Sequence, residues 1–153
     1  ELRRFIIESS RPVIYVTHDQ EEALSMASKI GVMKNGRIIQ LDNPQTIYRK
    51  PNSIFVASFI GRPQINLLNI SKNIITGVRP ENVIFDESGI RCKLLFKEWL
   101  GKNQVLHFDT KFGSIRMLIP SNEEIPDRIN ISWLPGNEIL FDSRTNKRLY
   151  NGD

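Results

Sequence analysis

The chain of 153 residues contains a single cysteine, Cys92, and no long hydrophobic run. One cysteine excludes an intrachain disulfide and a metal site built from thiolates, and this usage fits a reducing compartment. The longest apolar run, residues 54–60, is far too short to cross a lipid bilayer. These absences favour a reducing compartment and leave no membrane-spanning candidate in the sequence.

The chain also has only a small excess of basic over acidic residues. The chain has 21 basic and 17 acidic residues, and neither half contains a run of like charges. A net charge of +4 spread this thinly is typical of a solvated surface and is a weak indication of nucleic-acid or membrane binding. No signal peptide opens the sequence, and the first residue is Glu rather than Met. We therefore expect a piece of a longer protein.

Residues 1–66 predict an α/β segment. The continuous apolar stretch at residues 13–16 indicates a strand buried on both faces, which is typical of a parallel sheet covered by helices. Asn35-Gly36 predicts a tight type I′ turn, and Gly61 is placed to close a helix. The predicted elements are helices over 2–9 and 19–28, a hairpin over 29–41, and helices over 44–49 and 52–60.

Residues 67–153 predict an all-β unit. Residues 62–69 have no clear period and indicate a linker or a strap. Beyond them, short strand-like runs alternate with turn signals, which favours a small antiparallel barrel. The predicted strands cover residues 74–78, 82–85, 89–99, 103–109, 114–120, 128–134, 138–141 and 147–150.

His18 follows the apolar strand and precedes a helix. In open α/β sheets ligands bind beyond the carboxyl ends of the strands, a helix N-terminus suits anions, and an imidazole can donate a hydrogen bond to a phosphate oxygen. A phosphate-sensing histidine is one interpretation, and a surface histidine at a turn is the other. Asp19 and Glu22 have capping-box spacing, which serves either interpretation.

The stretch "VIYVTHDQEEALSMASKIGVMKNGRIIQLDNPQTIYRKPNSIFVASFIGRPQINLL" resembles the C-terminal part of the ATP-binding subunits of ABC importers, in the branch that serves sugars and glycerol phosphate. Further along, "ITGVRPENV", "WLG" and "ILFDSRTNKRL" resemble the appended TOBE regulatory domain, an OB-like barrel. The fold class implied is therefore an α/β fragment, the end of an ABC-type nucleotide-binding domain, followed by an all-β OB-like barrel.

The resemblance implies a mechanism and partners. Two ATPase subunits sandwich ATP with magnesium, and His18, in the switch region or H-loop, contacts the γ-phosphate and holds the attacking water in line. Such hydrolysis depends mostly on positioning and charge stabilisation. The implied partners are a second copy of the subunit, membrane-spanning permease subunits and a regulatory protein on the barrel, at the cytoplasmic face of the cell membrane. No nucleic acid is implied.

The sequence departs from that family in what it lacks. No G-x-x-x-x-G-K-[ST], no signature motif and no apolar run ending in Asp-Glu is present. We expect the chain alone neither to bind ATP well nor to hydrolyse it. A parallel strand at residues 13–16 needs neighbours on both edges, so we also expect residues 1–40 to be poorly ordered, re-paired or in contact with another chain.

Two rival functions concern the β unit. Aromatic and basic residues interleaved in one stretch, Lys93, Phe96, Lys97 and Trp99, could form a nucleic-acid platform on an OB-like barrel. We instead expect the aromatic side chains to be barrel core, because so small a barrel needs them inside. The expected core aromatics are Phe96, Trp99, Trp133 and Phe141.

The second rival is a stand-alone barrel that senses a small solute or oxyanion, with Arg79 and Glu81 orienting the ligand. An ion pair between these two side chains that braces the turn is the simpler expectation. Strand alternation puts His107 opposite Leu106 and Phe108, which predicts a surface residue rather than a ligand. No histidine, cysteine or carboxylate cluster indicates a metal site.

Overall fold

The computed structural model describes residue 4, residues 12–126 and residues 128–150. Within this part of the chain no helix is long and apolar enough to span a membrane. All strand pairings found there are antiparallel. The helices are α1 (Gln20–Met26), α2 (Pro44–Arg49) and α3 (Ile54–Phe59), with a 3-10 turn at Pro80–Asn82. The strands are β1 (Ile30–Lys34), β2 (Arg37–Asp42), β3 (Asn66–Ser71), β4 (Ile74–Val78), β5 (Val83–Leu100), β6 (Asn103–Thr110), β7 (Gly113–Pro120), β8 (Asn130–Trp133) and β9 (Glu138–Asp142).

The β1–β2 hairpin forms as its turn sequence predicts. Asn35 and Gly36 have φ angles of 49° and 74°, which are the two positive values that a type I′ turn requires. α2 then begins with Asn43 as N-cap, whose side chain accepts a hydrogen bond from the Thr46 N–H. The hairpin and the start of α2 are therefore confirmed.

α3 packs with α2 and the hairpin. Ser53 caps its start, and Gly61 follows its C-cap with φ of 103°, as expected for a residue that closes a helix. One apolar cluster joins the hairpin to both helices, and side chains of α1 pack against its edge. Its buried members are Ile30, Val32, Ile47, Val56 and Ile60.

A three-stranded sheet has the order β3-β4-β9. β3 begins at Asn66, inside the stretch predicted to be a linker, so that prediction is wrong for residues 66–69. α3 packs on this sheet, because Ala57 lies in one buried cluster with Ile139 and Phe141. The sheet therefore anchors the helices.

A four-stranded sheet has the order β7-β6-β5-β8. The long strand β5 changes register against β8 between Phe85 and Ile90, where a turn was predicted. There the Asp86 carboxylate accepts hydrogen bonds from the backbone N–H and the hydroxyl of Ser88. The buried cluster on this sheet is Leu68, Val78, Val83, Leu106, Phe108, Ile115, Met117, Ile119 and Ile131.

Asn66 joins the two larger sheets. Its side chain is 1% exposed. Its amide group donates to the Arg116 carbonyl at 2.8 Å and accepts from the Arg116 N–H at 2.8 Å. The asparagine therefore makes the paired bonds of a strand neighbour with β7, although it belongs to the other sheet.

Residues 13–16 do not form a strand, so that prediction is wrong. The described part of the chain contains no parallel strand beside them, and Ile14 is 94% exposed. Residues 147–150 are not a strand either, since only isolated bridges join Ser53 to Lys147 and Phe141 to Arg148. The helix predicted over 2–9 lies, but for residue 4, outside the described residues.

The described part of the chain is mostly antiparallel β-sheet with few helices. Residues 20–40 form α1 and the hairpin in its predicted pairing, so no re-pairing is found among them, and their poor order or contact with another chain stays a prediction. The OB-like barrel and the division between residues 66 and 67 stay predictions.

Candidate functional site

His18 lies in a bend between residues 12–17, which form no regular secondary structure, and the start of α1, and it is exposed. This is the position that the sequence predicted, immediately before a helix. No hydrogen bond to its ring is found among the residues that the structure describes. The imidazole is therefore presented to solvent and accessible to a ligand.

The N-terminus of α1 is closed by its own cap. The Asp19 carboxylate accepts hydrogen bonds from the N–H groups of Glu21, at 2.9 Å, and Glu22, at 3.1 Å. These backbone donors are thus occupied, and the helix adds two carboxylates in its first turn. Two of the helix N–H groups expected to help hold an anion are therefore occupied by Asp19, and the exposed imidazole remains available.

Glu22 fixes the segment before His18 to α1. Its carboxylate accepts hydrogen bonds from the hydroxyl of Tyr15 at 3.0 Å and from that of Thr17 at 3.2 Å. The hydrogen bond to Glu22 raises the pKa of the Tyr15 phenol. In a capping box Glu22 would bond the Asp19 N–H, but that group donates to the Thr17 hydroxyl instead. The turn carrying His18 is thereby tied to the helix on its surface side.

Arg79 is a buried structural link and not a ligand-orienting group. Its side chain is 3% exposed, and its guanidinium stacks 4.1 Å from the centre of the Tyr48 ring. It donates to the carbonyl oxygens of Ala57 at 3.0 Å, Ile60 at 2.6 Å and Tyr48 at 3.0 Å. One side chain from the end of β4 therefore holds the C-terminal ends of both α2 and α3.

Glu81 does not pair with Arg79. Its carboxylate instead accepts a hydrogen bond from the Tyr48 hydroxyl. Burial, together with this hydrogen bond, raises the pKa of Tyr48 well above its usual range, and burial lowers the pKa of Arg79. The ion pair predicted to brace the turn is therefore wrong, since Tyr48 stands between the two charges and binds both.

The aromatic stretch of β5 is not core, contrary to expectation. Phe96 is 56% and Trp99 76% exposed, whereas Phe141 is fully buried and Trp133 packs against the core of the four-stranded sheet. The register of β5 shifts between Leu94 and Phe96, and the β5 side chains of residues 95–100 that follow are exposed. Phe96 and Trp99 are three positions apart and so project from opposite faces.

His107 lies on the surface as predicted, opposite the buried Leu106 and Phe108. Its ring stacks on Phe96 with 4.1 Å between centroids, and its Nε2 lies 3.1 Å from the Glu98 carboxylate. One face of Phe96 is therefore occupied. The two exposed aromatics do not form a continuous stacking platform for successive bases.

A cleft of about 790 Å³ opens where β5 loses register with β8. Trp133 and Phe112 supply apolar walls, and Arg91 and Lys111 supply positive charge. The cleft contains none of the candidate residues His18, Arg79 and Glu81. It also has no connection to the turn before α1.

Two contributors to this region escaped the sequence reasoning. The sequence does not identify Tyr48, because an aromatic residue followed by Arg49 at a helix end is no distinctive signal. Gln20 was also missed, and its Oε1 accepts a hydrogen bond from the Gly61 N–H at 2.9 Å. Its partner lies 41 residues away, so only the folded chain reveals the pair.

No family model matches the chain. The chain is 40% identical over 141 residues to the spermidine/putrescine import ATP-binding protein of Pseudomonas aeruginosa, covering 92% of the chain and 34% of that protein. It is 29% identical over 180 residues to an sn-glycerol-3-phosphate import ATP-binding protein of Agrobacterium fabrum, covering 97% and 48%. It is 28% identical over 176 residues to the oligosaccharides import ATP-binding protein of Bacillus subtilis, covering 89% and 48%. The chain thus spans less than half the length of these curated relatives.

Proposed function

The chain is related to the ATP-binding subunits of ABC importers, and from this premise we propose that it forms part of such a subunit. In that role it couples ATP hydrolysis to the uptake of a small solute. The support is similarity along 89% to 97% of the chain to three import ATP-binding proteins. The chain spans less than half of each of these proteins. The proposal therefore concerns only what the residues of this chain contribute to ATP hydrolysis.

We propose that His18 contacts the γ-phosphate of ATP. The observation that carries this proposal is an exposed imidazole at a defined turn, with the segment before it tied to α1 through Glu22. An imidazole placed there donates a hydrogen bond to a terminal phosphate oxygen and helps to align the attacking water. Because phosphoryl transfer depends on positioning, one misplaced hydrogen bond is enough to disable it.

The residues of this chain do not fit a complete ATP and magnesium site. The sequence has no phosphate loop, and the donors at the start of α1 already bind Asp19. His18 therefore supplies one contact, and the remaining contacts to the nucleotide and its magnesium ion come from outside this sequence. The chain alone is accordingly proposed to be inactive as an ATPase.

The solute and the partners follow from the same relationship. The names of the relatives assign them to the import of sn-glycerol-3-phosphate, of spermidine and putrescine, and of oligosaccharides. We keep a carbohydrate or glycerol phosphate as the proposed solute. The proposed partners are a second copy of the subunit, permease subunits and a regulatory protein on the TOBE barrel, at the cytoplasmic face of the membrane.

The test uses the full-length subunit encoded by the gene, assembled with its permease. His18→Ala is expected to keep ATP affinity within about threefold and to lower the hydrolysis rate by a hundredfold or more, because a transition-state contact is lost. His107→Ala is the matched control, since it removes the second histidine of the chain and should leave the rate unchanged. Normal hydrolysis by His18→Ala would refute the proposed role.

The two rival functions have less support. Phe96 and Trp99 project from opposite faces of β5, and Phe96 already stacks on His107, so the nucleic-acid platform lacks its geometry. Arg79 is committed to three backbone carbonyls, so it is not free to bind an oxyanion. Neither alternative is proposed.

A further inference from the structure

A single peptide group is held from two sides by side chains distant in sequence. The C=O of Ile60 accepts a hydrogen bond from Nη1 of Arg79 at 2.6 Å. The N–H of Gly61, which belongs to the same peptide group, donates to Oε1 of Gln20 at 2.9 Å. Because a peptide group is planar and rigid, its C=O and N–H cannot be displaced independently. Gln20 and Arg79 are thus connected through one rigid peptide group, that of Ile60 and Gly61.

Gly61 makes this arrangement possible. Its φ of 103° is a conformation that residues with a Cβ rarely adopt. A Cβ at this position would lie 2.9 Å from Nη1 of Arg79 and 3.0 Å from the Tyr48 ring. The guanidinium and the ring therefore pack directly against the backbone of residue 61, which restricts the movement of the peptide group between Ile60 and Gly61.

The other end of this connection is the turn that carries His18. Gln20 is the first residue of α1 and lies two positions after His18. Ala23, Leu24 and Ala27 anchor the rest of α1 to the apolar cluster of the hairpin, α2 and α3. Gln20 is the side chain that fixes the first turn of the helix, because its bond to Gly61 is the long-range hydrogen bond made there.

We infer that Gln20 is a positioning residue for His18, and that Arg79 acts on it through the peptide group of Ile60 and Gly61. The inference rests on the proposed function for the meaning of His18's position and extends it to the β unit. A displacement at the end of β4, where Arg79 originates, is transmitted to the histidine turn. The β-sheet unit thereby has a direct mechanical route to the catalytic imidazole.

The chain itself is suited to the test, because it contains only two histidines, His18 and His107. Imidazole resonances are recorded by 15N NMR together with amide hydrogen exchange. In Gln20→Ala we expect the His18 resonances to shift and exchange at Glu21 and Glu22 to become about fivefold faster, which corresponds to the loss of one net hydrogen bond. His107 serves as an internal reference and should not move.

Matched variants separate positioning from general loosening. Gln20→Glu keeps a side-chain acceptor for the Gly61 N–H, so it should restore the native exchange rates at Glu21 and Glu22. Gln40→Ala removes a glutamine whose Oε1 accepts from the Asn52 N–H at 2.8 Å in the neighbouring hairpin, and it should leave His18 unchanged. Arg79→Lys keeps the charge but replaces the planar fork of donors, which reaches three carbonyls, with a single ammonium group, and it should shift His18 in the same direction as Gln20→Ala.

Three outcomes would overturn the inference: unchanged His18 resonances in Gln20→Ala, equal changes at His18 and His107, or no effect of Arg79→Lys on His18. These readouts need no nucleotide. Normal hydrolysis by the His18→Ala subunit would therefore refute the proposed function alone, whereas an unresponsive His18 turn would refute the positioning route alone.

Discussion

Two apolar stretches of this chain have similar sequences and opposite fates. Residues 13–16, Val-Ile-Tyr-Val, form no strand and are exposed, with Val16 at 89%. Strand β4, Ile-Ile-Thr-Gly-Val, lies between β3 and β9, and its Val78 is fully buried. The difference lies in the neighbours that each stretch has to pair with, because β-propensity expresses packing against a sheet more than an intrinsic backbone preference.

The two stretches also differ in how their ends are fastened. β4 is followed by Arg79, which is buried and donates to three carbonyls of the helical region. The segment over residues 13–16 is held by the exposed carboxylate of Glu22 through two hydroxyl groups. Buried polar links contribute far more to stability than exposed ones, so equivalent substitutions in the two regions should have unequal effects.

The largest difference in stability is expected when the residues that hold the two stretches, Arg79 and Glu22, are replaced. Arg79→Ala removes the donor to three carbonyls and the cation over Tyr48, and we expect it to lower the free energy of unfolding by about 3 kcal/mol. Glu22→Ala should cause no measurable loss. Urea denaturation of both variants measures the difference, and a stability of Arg79→Ala within error of wild type would contradict this account of the link.

A smaller effect is expected for one and the same substitution in the two stretches. Val78→Ala removes two buried methyl groups from the largest core cluster, which should cost about 2 kcal/mol of unfolding free energy. Val16→Ala should stay within about 0.5 kcal/mol of wild type, as is usual for exposed positions. Thermal and urea denaturation of the pair compare them directly, and equal losses would mean that residues 13–16 are buried in solution.

The smallest effect concerns two tyrosines. Tyr48→Phe loses the hydrogen bond to Glu81 and should lower stability by about 1 kcal/mol, whereas Tyr15→Phe should change nothing measurable. The pKa of Tyr48 is raised in the folded state, so its contribution is complete below the ordinary tyrosine pKa near 10 and is lost as pH rises through the folded value.

The stability difference between wild type and Tyr48→Phe should therefore narrow as pH is raised from about 9 to 11. Denaturation at several pH values measures it, with Tyr15→Phe for comparison: the pKa of Tyr15 is raised in the same direction, but its phenol is exposed, so the trend should be much weaker. If the stability difference between wild type and Tyr48→Phe instead grows with pH, the contact between Tyr48 and Glu81 is not the cause of that difference.

Local signals predicted the elements whose causes are local. Asn35-Gly36 produces its turn, Asn43-Pro44 starts α2, and Gly61 closes α3, because each depends on the backbone preferences of one or two residues. His18 was likewise placed correctly before α1. Asn146 has φ of 58°, a conformation that asparagine tolerates better than most residues.

The failures share a different cause. Residues 13–16 could not be assigned from their own sequence, since a strand exists only with a partner. The start of β3 was missed because it is defined by pairing with β4, and the side chain of Asn66 adds bonds to a strand 50 residues away. The prediction that Phe96 and Trp99 are core rested on residue type alone; three positions apart in one strand, they project from opposite faces, and both are exposed.

The partners of Arg79 were missed for the same reason. Its three acceptors are backbone carbonyls of residues 48, 57 and 60, and carbonyls carry no sequence signal. Within "GVRPE", the nearby Glu81 looked like the natural partner, but the Tyr48 ring intervenes in space. Long-range contacts of this kind connect the candidate site to the rest of the fold.

The most direct test of the account is the imidazole spectrum of His18 in the full-length subunit, recorded with magnesium and a saturating, non-hydrolysable ATP analogue. The account predicts that the His18 resonances shift on nucleotide binding while those of His107 stay in place. Unmoved His18 resonances in a subunit shown to be saturated with the analogue would contradict the proposed contact with the terminal phosphate.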